Sequence, residues 1–220
     1  MKKIYLFGLA LCIGSLGLTS CNKDEQLTDS RVTHFANIEL LGGDFIELNV
    51  GDTWTDPGFI AKEGEEDITS KVVVTGNVDT SKGGFYELTY SAANKDNFSA
   101  SASRTVMVKN PNSIASAYFA KTGYYTGAPV TITDNGDGTY EIDDLMAGYY
   151  FFYRYPGYEP TYDFHLETVI KLNADNSLSH ISSGSWYFSS APTLASGSYD
   201  PIAGTVSYKT SNGLTVLLTK

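Results

Sequence analysis

The sequence predicts an all-β protein with two successive β domains, a β-sandwich followed by a second antiparallel domain that is sandwich-like or barrel-like. Three observations predict it. Strand-length runs rich in apolar and β-branched residues recur along the chain, separated by turn residues, with no helix-period segment between them. Several pairs of runs are joined by Asn, Gly and Asp in the pattern of hairpin turns. Charged residues make up only 18% of the chain while Tyr, Thr, Ser and Gly are plentiful, which favours solvent-facing β structure over disorder.

The chain opens with "MKK" and the apolar run "IYLFGLALCIGSLGL", which has the length of a secretory segment and falls short of the roughly 20 residues a spanning helix needs. It ends in Leu18-Thr19-Ser20-Cys21, which resembles the bacterial lipobox. That resemblance implies a signal peptide over residues 1–20 and a mature N-terminus at an acylated Cys21. An ordinary signal peptide with a nearby thiol, or an uncleaved anchor, is the alternative. One acyl chain binds a membrane only marginally, whereas two or more make a stable anchor. Cys12 would leave with the signal peptide, so no thiol pair remains for a disulfide, a metal site or a redox couple. Residues 21–33 are polar and aperiodic and read as a tether. Within them Asn22-Lys23-Asp24-Glu25-Gln26 resembles the Lys-then-acid export signal of Bacteroidetes-type surface lipoproteins, which implies an outer-membrane location facing outward. A plain solvated tether accounts for the same charges.

Residues 34–110 contain the runs "FIELNVGD", "KVVVTG", "FYELTYSA" and "SRTVMV". In the third, Tyr86, Leu88 and Tyr90 share one face of a strand and Phe85, Glu87 and Thr89 the other. The whole stretch, with Val50-Gly51, Thr53-Trp54-Thr55-Asp56-Pro57-Gly58, "DITSKV", "GNVDTSKGGFYELTY" and "SRTVMV", closely resembles the bacterial surface Ig-like domain. The resemblance implies an Ig-like β-sandwich acting as a spacer or presentation module. Two turns depart from the family pattern, Glu65-Glu66-Asp67 and Asn94-Lys95-Asp96-Asn97.

"KNPNS" at 109–113 marks a boundary, since Asn-Pro-Asn favours a turn over strand continuation. The next segment, "SIASAYFAKTG", fits either a short helix or a strand. Residues 111–220 then form the second β domain. Three hairpins are expected, in "VTITDNGDGTYEI", in "TVIKLNADNSLSHIS" and in "GTVSYKTSNGLTVLLTK", the last turning at Asn212-Gly213. "DNGDGTYEIDDLMAGYY" and "YDPIAGTVSYK" resemble the C-terminal domain of small Bacteroidetes-type lipoproteins, a resemblance that implies no activity.

The formal net charge of −10 argues against nucleic acid as a partner, since binding phosphates needs a basic footprint. "DNGDG" at 134–138 fails the calcium-loop register, with Gly136, Gly138 and Leu145 where ligands belong, and reads as a hairpin turn. The acidic "EGEED" at 63–67 reads as a solvated turn. No metal site and no cofactor is expected. Neither HExxH nor GxSxG occurs, and His34, His165 and His180 lie on the tether edge or on strand-like runs. Asp143 with Asp144, or Asp163 with Glu159 and Glu167, are the only carboxylate groupings to weigh for a glycosidase. The chain is therefore read as a non-enzyme with no catalytic residue.

The most unusual chemistry lies in "AGYYFFYRYPGYEPTYDF", residues 147–164. If 149–155 is a strand, Tyr149, Phe151, Tyr153 and Tyr155 line one face and Tyr150, Phe152 and Arg154 the other. Such a strand is either covered on both sides or carries an exposed aromatic platform. The platform reading takes Arg154, Tyr155, Tyr158 and Tyr162, with Trp186 and Tyr187, as candidate ligand-binding residues, because ring faces stack on sugar C–H faces. The expected function is a surface-exposed lipoprotein held in the membrane by its lipid anchor, acting as a non-catalytic binding or accessory module with extracellular glycan as the candidate ligand. A structural or adhesive module docking another envelope protein is the alternative, and a small glycosidase the outsider.

Overall fold

A computed structural model describes residues 32–158 and 161–220; the expected signal peptide, Cys21 and most of the tether lie outside the described residues, as does Glu159. Seven strands come first: β1 (Ala36–Leu40), β2 (Phe45–Asn49), β3 (Phe59–Glu63), β4 (Glu66–Asp67), β5 (Val73–Thr75), β6 (Gly84–Ala93) and β7 (Ser99–Lys109). They form two sheets, ordered β1-β3-β4 and β2-β7-β6-β5, with β2 parallel to β7. The expected alternation in β6 holds, with Leu88 and Tyr90 buried and Glu87 exposed. At the β6–β7 turn, Asn94 Oδ1 accepts from Asp96 and Phe98 N–H, and Asn97 takes the left-handed conformation that asparagine tolerates. The departure from the family pattern at this turn thus keeps its geometry.

Between the two sheets a small apolar cluster of Ala36, Ala61, Ile68 and Ala92, flanked by Ile38, Val72 and Ala100, adjoins the buried Leu88, Tyr90, Val106 and Val108 of β6 and β7. A polar cluster supplies what small side chains cannot. The fully buried Arg104 pairs with Asp56 and donates to the carbonyls of Leu41, Gly43 and Gly58, so it ties the β1–β2 turn to the Asp56-Pro57-Gly58 turn. Its guanidinium lies 5.5 Å from the Tyr90 ring centroid, and Tyr90 donates its hydroxyl to Asp56 at 2.7 Å. Burial resists ionisation of Asp56, but bonds from Gly58 N–H and Tyr90, and the charge of Arg104, outweigh it and hold the carboxyl below its usual range. Burial first, then the bond to Asp56, push the Tyr90 hydroxyl up to about 12.

Residues from Ser116 onward build one eight-stranded sheet from β8 (Ser116–Thr122), β9 (Thr126–Asp134), β10 (Thr139–Ile142), β11 (Thr168–Leu172), β12 (Leu178–Ser183), β13 (Leu194–Asp200), β14 (Thr205–Thr210) and β15 (Thr215–Thr219). Every pairing in it is antiparallel. The order β12-β11-β10-β9-β8-β15-β14-β13 puts the first and last strands side by side at its centre. Its two edges approach each other, with a bridge between Ser177 and Ser198 and a bond from Tyr199 N–H to the Asn176 carbonyl at 2.9 Å. The sheet is thus a nearly closed barrel around Tyr118, Val130, Ile132, Ile142, Ile170, Val206, Val216 and Leu218. All three expected hairpins are present, and the ambiguous "SIASAYFAKTG" contains β8.

Phe119, on the outer side of β8, meets Phe45 and Phe85 at ring distances of 5.8 and 5.3 Å, so the sandwich and the barrel share a contact within the compact unit His34–Lys220. Gly83 belongs there because an added Cβ would sit 2.6 Å from Ser116 Cα.

The expected strand over 149–155 is not formed. Tyr149–Arg154 is a π-helical turn, closed by the bond from Tyr155 N–H to the Tyr150 carbonyl at 2.8 Å. Ala147 and Gly148 both have positive φ, 50° and 73°, and this reverses the chain where an extended strand would begin. The two-faced alternation read from the sequence therefore does not apply.

The Arg104 cluster yields a prediction. Arg104→Ala leaves Asp56 without its ion partner and removes the guanidinium bonds to the Leu41, Gly43 and Gly58 carbonyls, the last of which keeps Leu41 N–H, and should cost roughly 3 kcal/mol or more in urea unfolding. Because the native Asp56 value is depressed, the wild-type contribution is present above about pH 4 and lost as pH falls further. The variant should show a flatter acid limb.

Candidate functional site

The aromatic segment belongs to the connection between β10 and β11, and one carboxylate organises its base. Asp144, 3% exposed, accepts from Met146, Gly148 and Leu166 N–H, while Leu145 N–H bonds the Leu166 carbonyl. Both ends of the excursion are thereby joined. Leu145, Met146 and Ala147 pack into the barrel core, and Tyr208 donates its hydroxyl to the Leu145 carbonyl at 3.0 Å. Burial pushes the Asp144 carboxyl above its usual range, against the pull of those N–H groups.

From this base the π-helical turn buries Phe151 and exposes Phe152, Tyr153 and Arg154. Phe164, 2% exposed, is the hub: its ring lies 5.2–6.3 Å from those of Tyr150, Phe151, Tyr155, Tyr162, Tyr187 and Phe188. Around it Tyr155, Tyr158, Tyr162 and Tyr187, with Phe164 and Phe188, line a cleft of about 250 Å³. Tyr158, Tyr162 and Tyr187 are 52%, 39% and 55% exposed, so their rings form its open rim.

Four of the six candidate residues are thus brought together. Arg154 stands beside them, its guanidinium 5.2 Å from the Tyr155 centroid. Trp186 does not line the cleft. It packs against the core, edge-on to Tyr150 and Phe188, and gives its indole N–H to the Phe164 carbonyl at 3.2 Å. Its role is to support the rings that do.

The sequence reading missed the floor, Phe164 and Phe188, although both flank the tyrosines it singled out. It also missed a second cavity, of about 500 Å³, lined by Tyr124, Tyr149 and Tyr150, by Met146 and by the β14–β15 turn at Asn212–Thr215. Tyr150 is common to both places, lining this cavity and touching Tyr155, Phe164 and Phe188 of the cleft.

The carboxylates weighed for hydrolysis have other partners. Asp144 holds the turn, and Asp143 accepts from Thr131 N–H through Oδ2. Neither lines either cavity. Asp163 accepts from the backbone N–H and the ring of His165, at 2.9 and 2.7 Å. Among the described residues no group of three or more His, Cys, Asp or Glu side chains is placed to hold a metal ion.

Two predictions test this framework. At Gly148 an added Cβ would sit 2.4 Å from Ala128 Cβ and 2.7 Å from the Phe152 ring, on a backbone already at positive φ. Gly148→Ala should lower the melting temperature by several degrees, about 2 kcal/mol or more, and alter the near-UV signal of the tyrosines. Asp143 is pushed up to about 6, first by burial and then, against the Thr131 N–H, by the Asp144 charge; its Oδ1 is buried without a hydrogen-bond partner. A raised native value means the native state holds the proton more tightly, so stability falls as pH rises from about 4 through 6. Asp143→Asn should flatten that slope, leaving the part that Asp144 contributes, and raise the melting temperature at pH 7.

Comparison with known proteins places this architecture. A family model described as "Bacterial surface protein, Ig-like domain" matches residues 38–108, and a second, for a C-terminal domain, matches residues 75–220. The crystal structure of the lipoprotein BT2262 from Bacteroides thetaiotaomicron is 25% identical and superposes with a TM-score of 0.61, covering 84% of this chain and 100% of that one. Two structures of Clostridium perfringens ZmpB also match. One holds its M60 catalytic domain with CBM51-1 and CBM51-2 (17% identity, 79% of this chain, 14% of that one), the other CBM51-2 with GlcNAc and INT domains (16%, 79% and 29%). Both have a TM-score of 0.29, too low to bear on fold or ligand. No curated protein matches. With the second family model spanning well over half of its length, the chain belongs to that C-terminal-domain family, and it carries the domain together with a bacterial surface Ig-like segment.

Proposed function

We propose that the protein is an outer-membrane lipoprotein, anchored through an acylated Cys21 and facing outward, that binds extracellular glycan without converting it. In this reading residues 34–110 are a spacer and residues 111–220 present the binding surface. The likeness to a Bacteroides lipoprotein and to a bacterial surface domain supports an envelope location. The observation that carries the glycan reading is the open rim of Tyr158, Tyr162 and Tyr187 over a floor of Phe164 and Phe188. Exposed aromatic faces on a rigid base favour ligands with flat C–H surfaces, and the tyrosine hydroxyls meet a sugar's own hydroxyls. An exposed apolar cluster of this kind marks an interaction site.

The test is affinity electrophoresis of the full-length protein in neutral detergent through gels containing starch, xylan, galactan, mannan or mucin. Retardation by one polysaccharide is expected, and Tyr158→Ala/Tyr162→Ala/Tyr187→Ala should abolish it while leaving the melting temperature within a few degrees. Cys21→Ser should release the protein from the membrane fraction without changing retardation. If no gel retards the wild type, the cleft is a docking site for another envelope protein and the glycan reading fails.

A further inference from the structure

We infer that the cleft is one half of a continuous track, and that the ligand is an internal segment of an uncharged, linear glycan several sugar units long rather than a single terminal sugar. The inference rests on the glycan reading of the cleft and deepens it.

The first argument is continuity. The rings of Tyr124, Tyr149, Tyr150, Tyr155, Tyr158 and Tyr162 follow one another with centroid separations of 5.2, 5.0, 6.1, 5.8 and 5.9 Å. Together these ring contacts run from the second cavity, past Tyr150, into the cleft. A single sugar would use only one of the two.

The second argument is shape. End-on recognition of a terminal sugar needs a closed pocket that buries most of it. Here the rims are open at both ends of the track: Tyr124 is 57% and Tyr153 49% exposed beside the larger cavity, as exposed as Tyr158 and Tyr187 at the cleft. Tyr153 touches Tyr124 and Tyr149, which line that cavity, with centroids at 5.0 and 5.5 Å. Two exposed aromatic rims joined by half-buried rings suit a chain that enters at one and leaves at the other.

The third argument is charge. Among the described residues no acidic or basic side chain lines either cavity. Arg154, the cation beside the track among the described residues, lies over Tyr155, and the chain as a whole is acidic. A uronate or sulfated glycan would find little to neutralise it and a repelling field around it. What the track does offer is neutral hydrogen bonding. Asn212 accepts from Thr210 through its side-chain oxygen, which leaves its NH2 as the donor available to the cavity it lines.

The test is titration calorimetry of the full-length protein in detergent against neutral gluco-, xylo-, galacto- and manno-oligosaccharides from monomer to octamer, with oligogalacturonides as the charged comparison. Affinity for one neutral series should rise about tenfold from dimer to hexamer and then level off. Tyr124→Ala/Tyr153→Ala should weaken the hexamer about fivefold or more while leaving the dimer nearly unchanged; Tyr158→Ala/Tyr162→Ala should weaken both. Equal affinity for dimer and hexamer, or a hexamer indifferent to Tyr124→Ala/Tyr153→Ala, would overturn the track and leave the cleft reading standing. Preference for the oligogalacturonides would overturn the uncharged assignment. If neither oligosaccharides nor polysaccharides bind, both readings fall together.

Discussion

The Asp144 carboxylate is the constraint on which the candidate site depends. The aromatic excursion leaves the barrel at Asp144 and returns at Leu166, and this one side chain takes N–H groups from both ends. A buried carboxyl is costly unless its oxygens find partners, and here backbone N–H groups supply them. The neck they close is what lets a run of aromatic residues sit outside the barrel on a fixed base. Loops with adjoining ends, packed by their own side chains, are frequent seats of function.

The sandwich solves a similar problem with a basic side chain. Its sheets lie against small residues, Ala36, Ala61 and Ala92, too small to hold long loops by apolar contact. The fully buried Arg104 reaches the turn carbonyls of Leu41, Gly43 and Gly58 and binds both turns at once. Both halves of the chain therefore place a buried polar side chain, Arg104 or Asp144, where loops, not strands, must be fixed. The consequence differs with the place: in the sandwich it makes a stiff body, and in the barrel it makes a stiff platform.

What was legible in the sequence follows from which signals are local. Asn212-Gly213 and the "DNGDG" turn announce their hairpins because few residues accept positive φ, and glycine supplies it there. The Asp56-Pro57-Gly58 turn came through the family pattern. The π-helical turn was not legible. In "YYFFYRY" all positions but one are aromatic, so alternation fits a strand and any helical period equally well. The residue that decides it, Ala147 at φ 50°, is of a type that rarely adopts that conformation. The larger cavity was illegible for another reason: Tyr124, Tyr149 and Asn212 meet only because β8 and β15 pair across the length of the barrel segment.

The division of labour between Phe and Tyr in the cleft is itself informative. Phe151 and Phe164 are buried and Phe188 is half-buried, whereas Tyr158, Tyr162 and Tyr187 are exposed. A buried tyrosine needs a partner for its hydroxyl, and Tyr208 in the core has one in the Leu145 carbonyl. At the rim the hydroxyl reaches water while the ring face stays dry enough to stack. Fold stability alone calls for the floor, since Phe164 and Phe188 hold the excursion together. It gives no reason to crowd tyrosines around the opening. In the glycan reading proposed above, that hydroxyl edge beside an exposed ring, over the floor of Phe164 and Phe188, is what a hydroxylated ligand with apolar C–H faces would use.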